Sequence, residues 1–134
     1  MLSGYIMRST FFLVMAVILT MVVGCANTNL PEAAGSGSGF SIISGNTAKE
    51  LFESNDGVIL LDVRNQDEYE ENHIQGSILI PVNELEERLT ELTDKDAIII
   101  VYCRSGRRSA DAVDILVSSG YTNIYNMQSI DNWP

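Results

Sequence analysis

Ala97-Ile98-Ile99-Ile100-Val101-Tyr102-Cys103-Arg104-Ser105-Gly106-Arg107-Arg108-Ser109 is the stretch on which the reading of this chain turns. Its first six residues carry no charge or amide, the pattern of a short strand covered on both faces. Cys103 closes the strand, a polar loop follows, and a helix is predicted from about Arg107 to Ser119. Val113, Leu116 and Val117 share one face of that helix, and Gly120 ends it. In an open parallel sheet, ligands bind at the carboxyl ends of the strands. A loop placed there, leading into a helix N-terminus, turns its backbone N–H groups inward toward an anion. Gly106 lets the loop curl without a side-chain clash.

The pattern repeats on either side. Phe40-Ser41-Ile42-Ile43 predicts an edge strand, and Thr47 with Glu50 predicts a capping box opening a helix on Ala48, Leu51 and Phe52. Val58 to Val63 is a second buried strand. Asn65 and Glu68 form another box, opening a short helix to Asn72. Ile78-Leu79-Ile80 is a brief strand stopped by Pro81. Asn83 and Glu86 are expected to cap a third helix, with Leu85, Leu89 and Leu92 as its stripe. Tyr121 to Tyr125 is the last strand. Strands alternating with helices imply an α/β fold, a central parallel sheet of about five strands with helices on both faces.

Composition limits what such a domain does. The 134 residues leave room for one domain, and 18 acids against eight bases give a net charge of −10. So acidic a chain is expected to bind no nucleic acid. Two cysteines exclude a disulfide-stapled mini-protein and a four-cysteine zinc site. No metal is expected.

Residues 1–24 read as an address. Arg8 is the only charge before Glu32, and Phe11 to Val23 is apolar except for Thr20. A membrane span needs about 20 such residues, so this run fits a signal-peptide core instead. It ends in Val22-Val23-Gly24-Cys25, which resembles the lipobox of bacterial lipoproteins. The resemblance implies cleavage before Cys25 and acylation of its thiol. The protein would then lie outside the cytoplasm, anchored by lipid to the outer membrane or to the outer face of the cytoplasmic membrane. Residues 25–39 are the lipidated cysteine and a tether, with Gly35-Ser36-Gly37-Ser38-Gly39 as flexible coil reaching roughly 20 Å. Residues 40–134 are the folded domain. Removal of Arg8 with the leader leaves seven bases, three of them Arg104, Arg107 and Arg108. Loop amides, helix end and guanidinium groups together favour thiolate over thiol, which makes Cys103 a candidate exposed nucleophile for an anionic substrate.

Strand-Cys103-Arg104-Ser105-Gly106-x-Arg108-Ser109-helix resembles the active-site loop of a rhodanese domain. Leu60-Leu61-Asp62-Val63-Arg64, Glu68-Tyr69, His73-Ile74-Gln75-Gly76-Ser77, Ile80-Pro81, Tyr121 to Met127 and Trp133 resemble further stretches of the family in the same order, so the resemblance covers about residues 40–133. It implies a thiosulfate sulfurtransferase type of enzyme without cofactor. Cys103 would take sulfane sulfur from a small anionic donor such as thiosulfate and pass it, through a persulfide, to cyanide or a thiol. The amides of residues 104 to 108 would hold the persulfide charge, Arg104, Arg107 and Arg108 would attract the donor, and Ser105 and Ser109 would donate hydrogen bonds, with Ser109 also capping the helix. Asp62 is expected to tie the loop down, Arg64 to pair with Glu68, and His73 to satisfy backbone groups. The chain departs from the family at Gln128-Ser129, where relatives commonly carry two glycines. Two other readings use the same fold. One is a membrane-tethered binding module or sulfur carrier without catalysis. The other is a phosphatase or arsenate reductase, which needs an arginine six residues after the cysteine; here that residue is Ser109.

Overall fold

A computed structural model describes residues 39–134. The leader, Cys25 and nearly all of the tether lie outside the described residues. Five strands run in chain order: β1 (Phe40–Ile42), β2 (Ile59–Asp62), β3 (Ile78–Leu79), β4 (Ile98–Cys103) and β5 (Asn123–Ser129). Three helices lie between them: α1 (Gly45–Ser54), α2 (Gln66–Glu71) and α3 (Arg107–Ser118). All strand pairs are parallel, in the order β1-β5-β4-β2-β3. The central strand is therefore the one that carries the cysteine.

Alternation along β4 divides the core in two. Ile99, Val101 and Cys103 join Leu61, Val63 and Ile80 with Ala112, Val113 and Leu116 of α3. Ile100 and Tyr102 pack on the opposite side with Ala48 of α1, Leu60, Ile74 and Met127. Helices thus cover both faces of the sheet, as the strand–helix alternation implies.

Local differences from the sequence reading have physical causes. Helix α1 begins earlier than Thr47 because Ser44 is its cap; the Ser44 hydroxyl oxygen accepts the Thr47 N–H at 3.2 Å. Glycine at 45 is enforced by contact, since a Cβ there would lie 1.6 Å from the Asn132 carbonyl oxygen. The box at Asn65 and Glu68 forms as expected. Residues 82–92 do not form an α-helix; they form successive turns and a 310 turn at Leu89–Glu91. Bonds from Glu84 N–H to Pro81 O, Leu85 N–H to Val82 O and Glu91 N–H to Arg88 O span three residues each. Leu85 and Leu92 are nonetheless buried. The apolar spacing is satisfied by tighter turns, which a stripe of leucines does not distinguish from an α-helix. Strand β5 starts at Asn123 and runs on to Ser129, beyond the expected end.

That extension contains an irregularity beside the site. Val101 pairs with Asn126 but Tyr102 with Gln128, so Met127 is an extra residue in β5. Gln128 adopts φ 71°, the left-handed region that favours glycine. The Asn126 side-chain oxygen accepts the Gln128 N–H at 2.9 Å, and this local bond helps hold the bulge. A glutamine thus holds a left-handed backbone that glycine would adopt without strain.

Candidate active site

Cys103 ends β4 on the α3 side of the sheet, and its side chain is 0% exposed. The sequence suggests an exposed nucleophile; the structure places the thiol beneath its loop. Gly106 N–H donates to Cys103 Sγ at 3.0 Å. Burial works against ionisation of the thiol. The Ser109 amide, the Ser105 amide, the Ser109 hydroxyl and the Gly106 amide outweigh it and hold the thiol below its usual pKa. The stabilisers are thus chiefly backbone N–H groups; of the guanidinium groups, that of Arg108 also couples to the thiolate. The Ser109 amide belongs to this set although the sequence pattern suggests only residues 104 to 108.

The loop backbone makes the cradle possible. Gly106 caps α3 with φ 91° and no side-chain cap bond. A Cβ there would lie 3.3 Å from Gln128 Cβ, so the loop rests on the β5 bulge. Ser129 Oγ donates to the Arg104 carbonyl, a second tie between loop and bulge. Ser109 is not the cap but a first-turn residue; its hydroxyl is 2.9 Å from the Gly106 carbonyl and 3.4 Å from that of Gln128.

The three loop arginines do not act alike. Arg104 and Arg107 are exposed and make no side-chain hydrogen bond or ion pair among the described residues. Arg108 is half-buried and forks onto Glu68: its Nη1 donates to Glu68 Oε2, and Nη2 to Oε1 at 2.9 Å. The Arg108 bond, foremost among several causes, lowers the Glu68 carboxyl to about 2.

Arg64 pairs with Asp62, not with Glu68. Its backbone N–H donates to Asp62 at 2.9 Å, Nε reaches both carboxylate oxygens at 3.0 Å, and Nη2 reaches Oδ2 at 2.6 Å. The same Nη2 donates to the Asn72 carbonyl at 2.6 Å. Asp62 therefore fixes Arg64 and the end of α2, and makes no bond to the cysteine loop. Arg64 also lies 5.7 Å from the Tyr102 ring centre. Tyr102 Oη donates to Ser77 Oγ at 3.0 Å and accepts the Ile74 N–H at 3.3 Å. Burial pushes this phenol up, so it stays neutral. His73 lies 2.9 Å from the Tyr69 carbonyl, bonded to backbone. The Glu68–Arg108 and Tyr102–Ser77 contacts were not legible in the sequence: Glu68 is already accounted for by its cap, and Tyr102 by its strand. Among the described residues, no cluster of three or more His, Cys, Asp or Glu could hold a metal ion. No described helix is long and apolar enough to cross a membrane.

Residues 44–133 match the model of the rhodanese-like domain. This chain belongs to that family. The thiosulfate sulfurtransferase PspE of Escherichia coli is 43% identical over 67 residues, 49% of this chain and 64% of that protein. The thiosulfate sulfurtransferase GlpE of Coxiella burnetii is 35% identical over 80 residues, 60% of this chain and 73% of that one. This rhodanese-like chain thus spans less than two thirds of PspE and somewhat more of GlpE. A solved rhodanese with anions from E. coli superposes with a TM-score of 0.54 at 38% identity, covering 56% of this chain and 89% of that one.

Proposed function

We propose that this rhodanese-like domain is a sulfurtransferase that moves sulfane sulfur through a persulfide on Cys103. The observation that carries the reading is the thiol at the carboxyl end of β4, ringed by the amides of Ser105, Gly106 and Ser109. Its support from relatives is the activity named for PspE and GlpE and the anions named for the E. coli rhodanese. The Cys103 thiolate attacks the outer sulfur of thiosulfate, the S–S bond breaks, and sulfite leaves with the bonding pair. The cysteine then carries a terminal anionic sulfur, the charge that inward N–H groups hold without reorganisation. Cyanide attacks that sulfur, thiocyanate leaves, and the thiolate returns; a thiol acceptor takes the sulfur as its own persulfide. Amides that favour the thiolate lessen the need for a general base, which leaves His73 to its backbone bond. Arg104 and Arg107 draw in the anionic donor from the rim.

A phosphatase or arsenate reductase is disfavoured by the arginines. Ser109 stands where the forked guanidinium would be, and Arg108 is occupied by Glu68. The sequence motif at Cys25 further supports anchoring of this chemistry outside the cytoplasm by a lipid. Replacing Cys25 by Ser is expected to release the protein from the membrane fraction; unchanged membrane retention would count against the anchor. The enzymatic reading is tested with thiosulfate and Cys103→Ser. Sulfur uptake by the parent and none by the variant is expected. Equal behaviour of the two would move the protein to the binding-module reading.

A further inference from the structure

Helix α2 has no buried residue, so apolar packing does not hold it to the body of the domain. Polar bonds do: the Tyr69 hydroxyl donates to the Ser77 carbonyl at 2.7 Å, and charged side chains supply the other ties. At its carboxyl end the Asn72 carbonyl accepts from Arg64, itself locked on buried Asp62. In its first turn Glu68 receives both terminal nitrogens of Arg108, while Glu68 Oε2 also accepts the Asn65 N–H at 3.1 Å. Arg108 sits in the first turn of α3, two residues after Gly106, whose N–H is on Cys103 Sγ, and next to Ser109. The fork therefore ties the helix turn that carries the sulfur's N–H donors to a separate element 40 residues away in sequence.

We infer that Glu68 is a positioning residue for the Cys103 site: through Arg108 it fixes the first turn of α3, and with it the amide cradle of the sulfur. This rests on the sulfurtransferase reading only for its consequence in turnover; the cradle and its alignment on the thiolate exist whatever the thiolate attacks. The charged groups around Cys103 are few. Asp62 and Arg64 follow from β2 and neutralise each other, Glu68 comes from α2, and Arg108 from α3. Arg104 and Arg107 lie on the loop rim, and Asp131 follows β5 next to Ser129. For Glu68, the effect expected of its charge and the effect expected of positioning have opposite signs. As a charge alone it opposes a nearby thiolate and screens Arg108, so its removal would ease ionisation of Cys103. As a positioner it favours the thiolate, so its removal hinders ionisation.

Alkylation of Cys103 by iodoacetamide in the full chain, followed on the Cys103 peptide as a function of pH, separates these. It reads the thiolate without any sulfur transfer, so its failure is distinct from failure of the proposed activity. Glu68→Gln is expected to move the midpoint upward by about half a pH unit, roughly a threefold loss of thiolate below it. A downward move, or an unmoved midpoint with only a lower melting temperature, overturns the inference. Arg108→Lys is the second variant, in case Glu68→Gln folds poorly. It keeps the charge but cannot fork onto both carboxylate oxygens. The midpoint is expected to rise here too; an unmoved one would show that charge, not the fork, is what matters.

Discussion

The loops that follow β2 and β4 leave the same end of the sheet from neighbouring strands, and they handle charge in opposite ways. After β2, the charged side chains that face the body of the domain are matched by others: Arg64 by Asp62, and Glu68 by an arginine from α3. After β4, the backbone turns N–H groups onto a sulfur that has no cationic side chain bonded to it. One region is closed by ion pairs. The other has donors arranged for a negative charge that appears only when the thiol ionises or carries sulfur. On the proposed function, the difference is how a strongly acidic domain keeps an anion site: the site depends on amides, and the Glu68 carboxylate is held by an arginine.

Breaking the β2 side should have the largest effect on stability. Arg64→Ala leaves Asp62 buried without its partner and frees the Asn72 carbonyl, and about 3–5 kcal/mol should be lost in denaturant unfolding. A loss below about 1 kcal/mol would mean that the pair is not the fastener of α2. On the β4 side, Gly106→Ala forces a side chain into φ 91° and against Gln128 Cβ. About 2 kcal/mol should be lost, together with most sulfur uptake, because the Gly106 N–H moves off Sγ. Full uptake by this variant would break the contrast, since the backbone would not then be the determinant.

A smaller effect joins the two loops. The folded Glu68 carboxyl lies near 2, against an ordinary 4.5. The folded value is the lower one, so its contribution is fully present above pH 4.5 and disappears as pH falls through 4.5 toward 2. About 1 kcal/mol should be lost across that window. Acid titration of unfolding should show this in the parent and not in Glu68→Gln. The smallest expected effect is at the bulge. Gln128→Gly relieves the left-handed backbone and should stabilise by about 0.5 kcal/mol. The same change should make Gly106→Ala less costly, because the two positions touch.

How far the sequence reveals all this depends on the kind of interaction. The sheet and the cysteine loop were legible because a two-face-buried strand, a cysteine and a loop glycine are contiguous, and their geometry is local. The leucines of residues 85–92 located burial correctly but not the hydrogen-bond pattern, since three- and four-residue turns bury the same spacing. The loop arginines looked equivalent in the sequence. Their division into two free groups and one held by Glu68 depends on an element 40 residues distant, which local spacing does not reveal. Gln128 drew notice only as a departure from two glycines; its φ of 71° shows a left-handed backbone held by a residue that does not favour it.

The measurement that tests the account most directly is the intact mass of the protein after treatment with thiosulfate. The account predicts a gain of one sulfur atom, located on the Cys103 peptide, removed by cyanide and absent from Cys103→Ser. No gain with thiosulfate or any other sulfane donor, from a folded chain with a free Cys103 thiol, would contradict it.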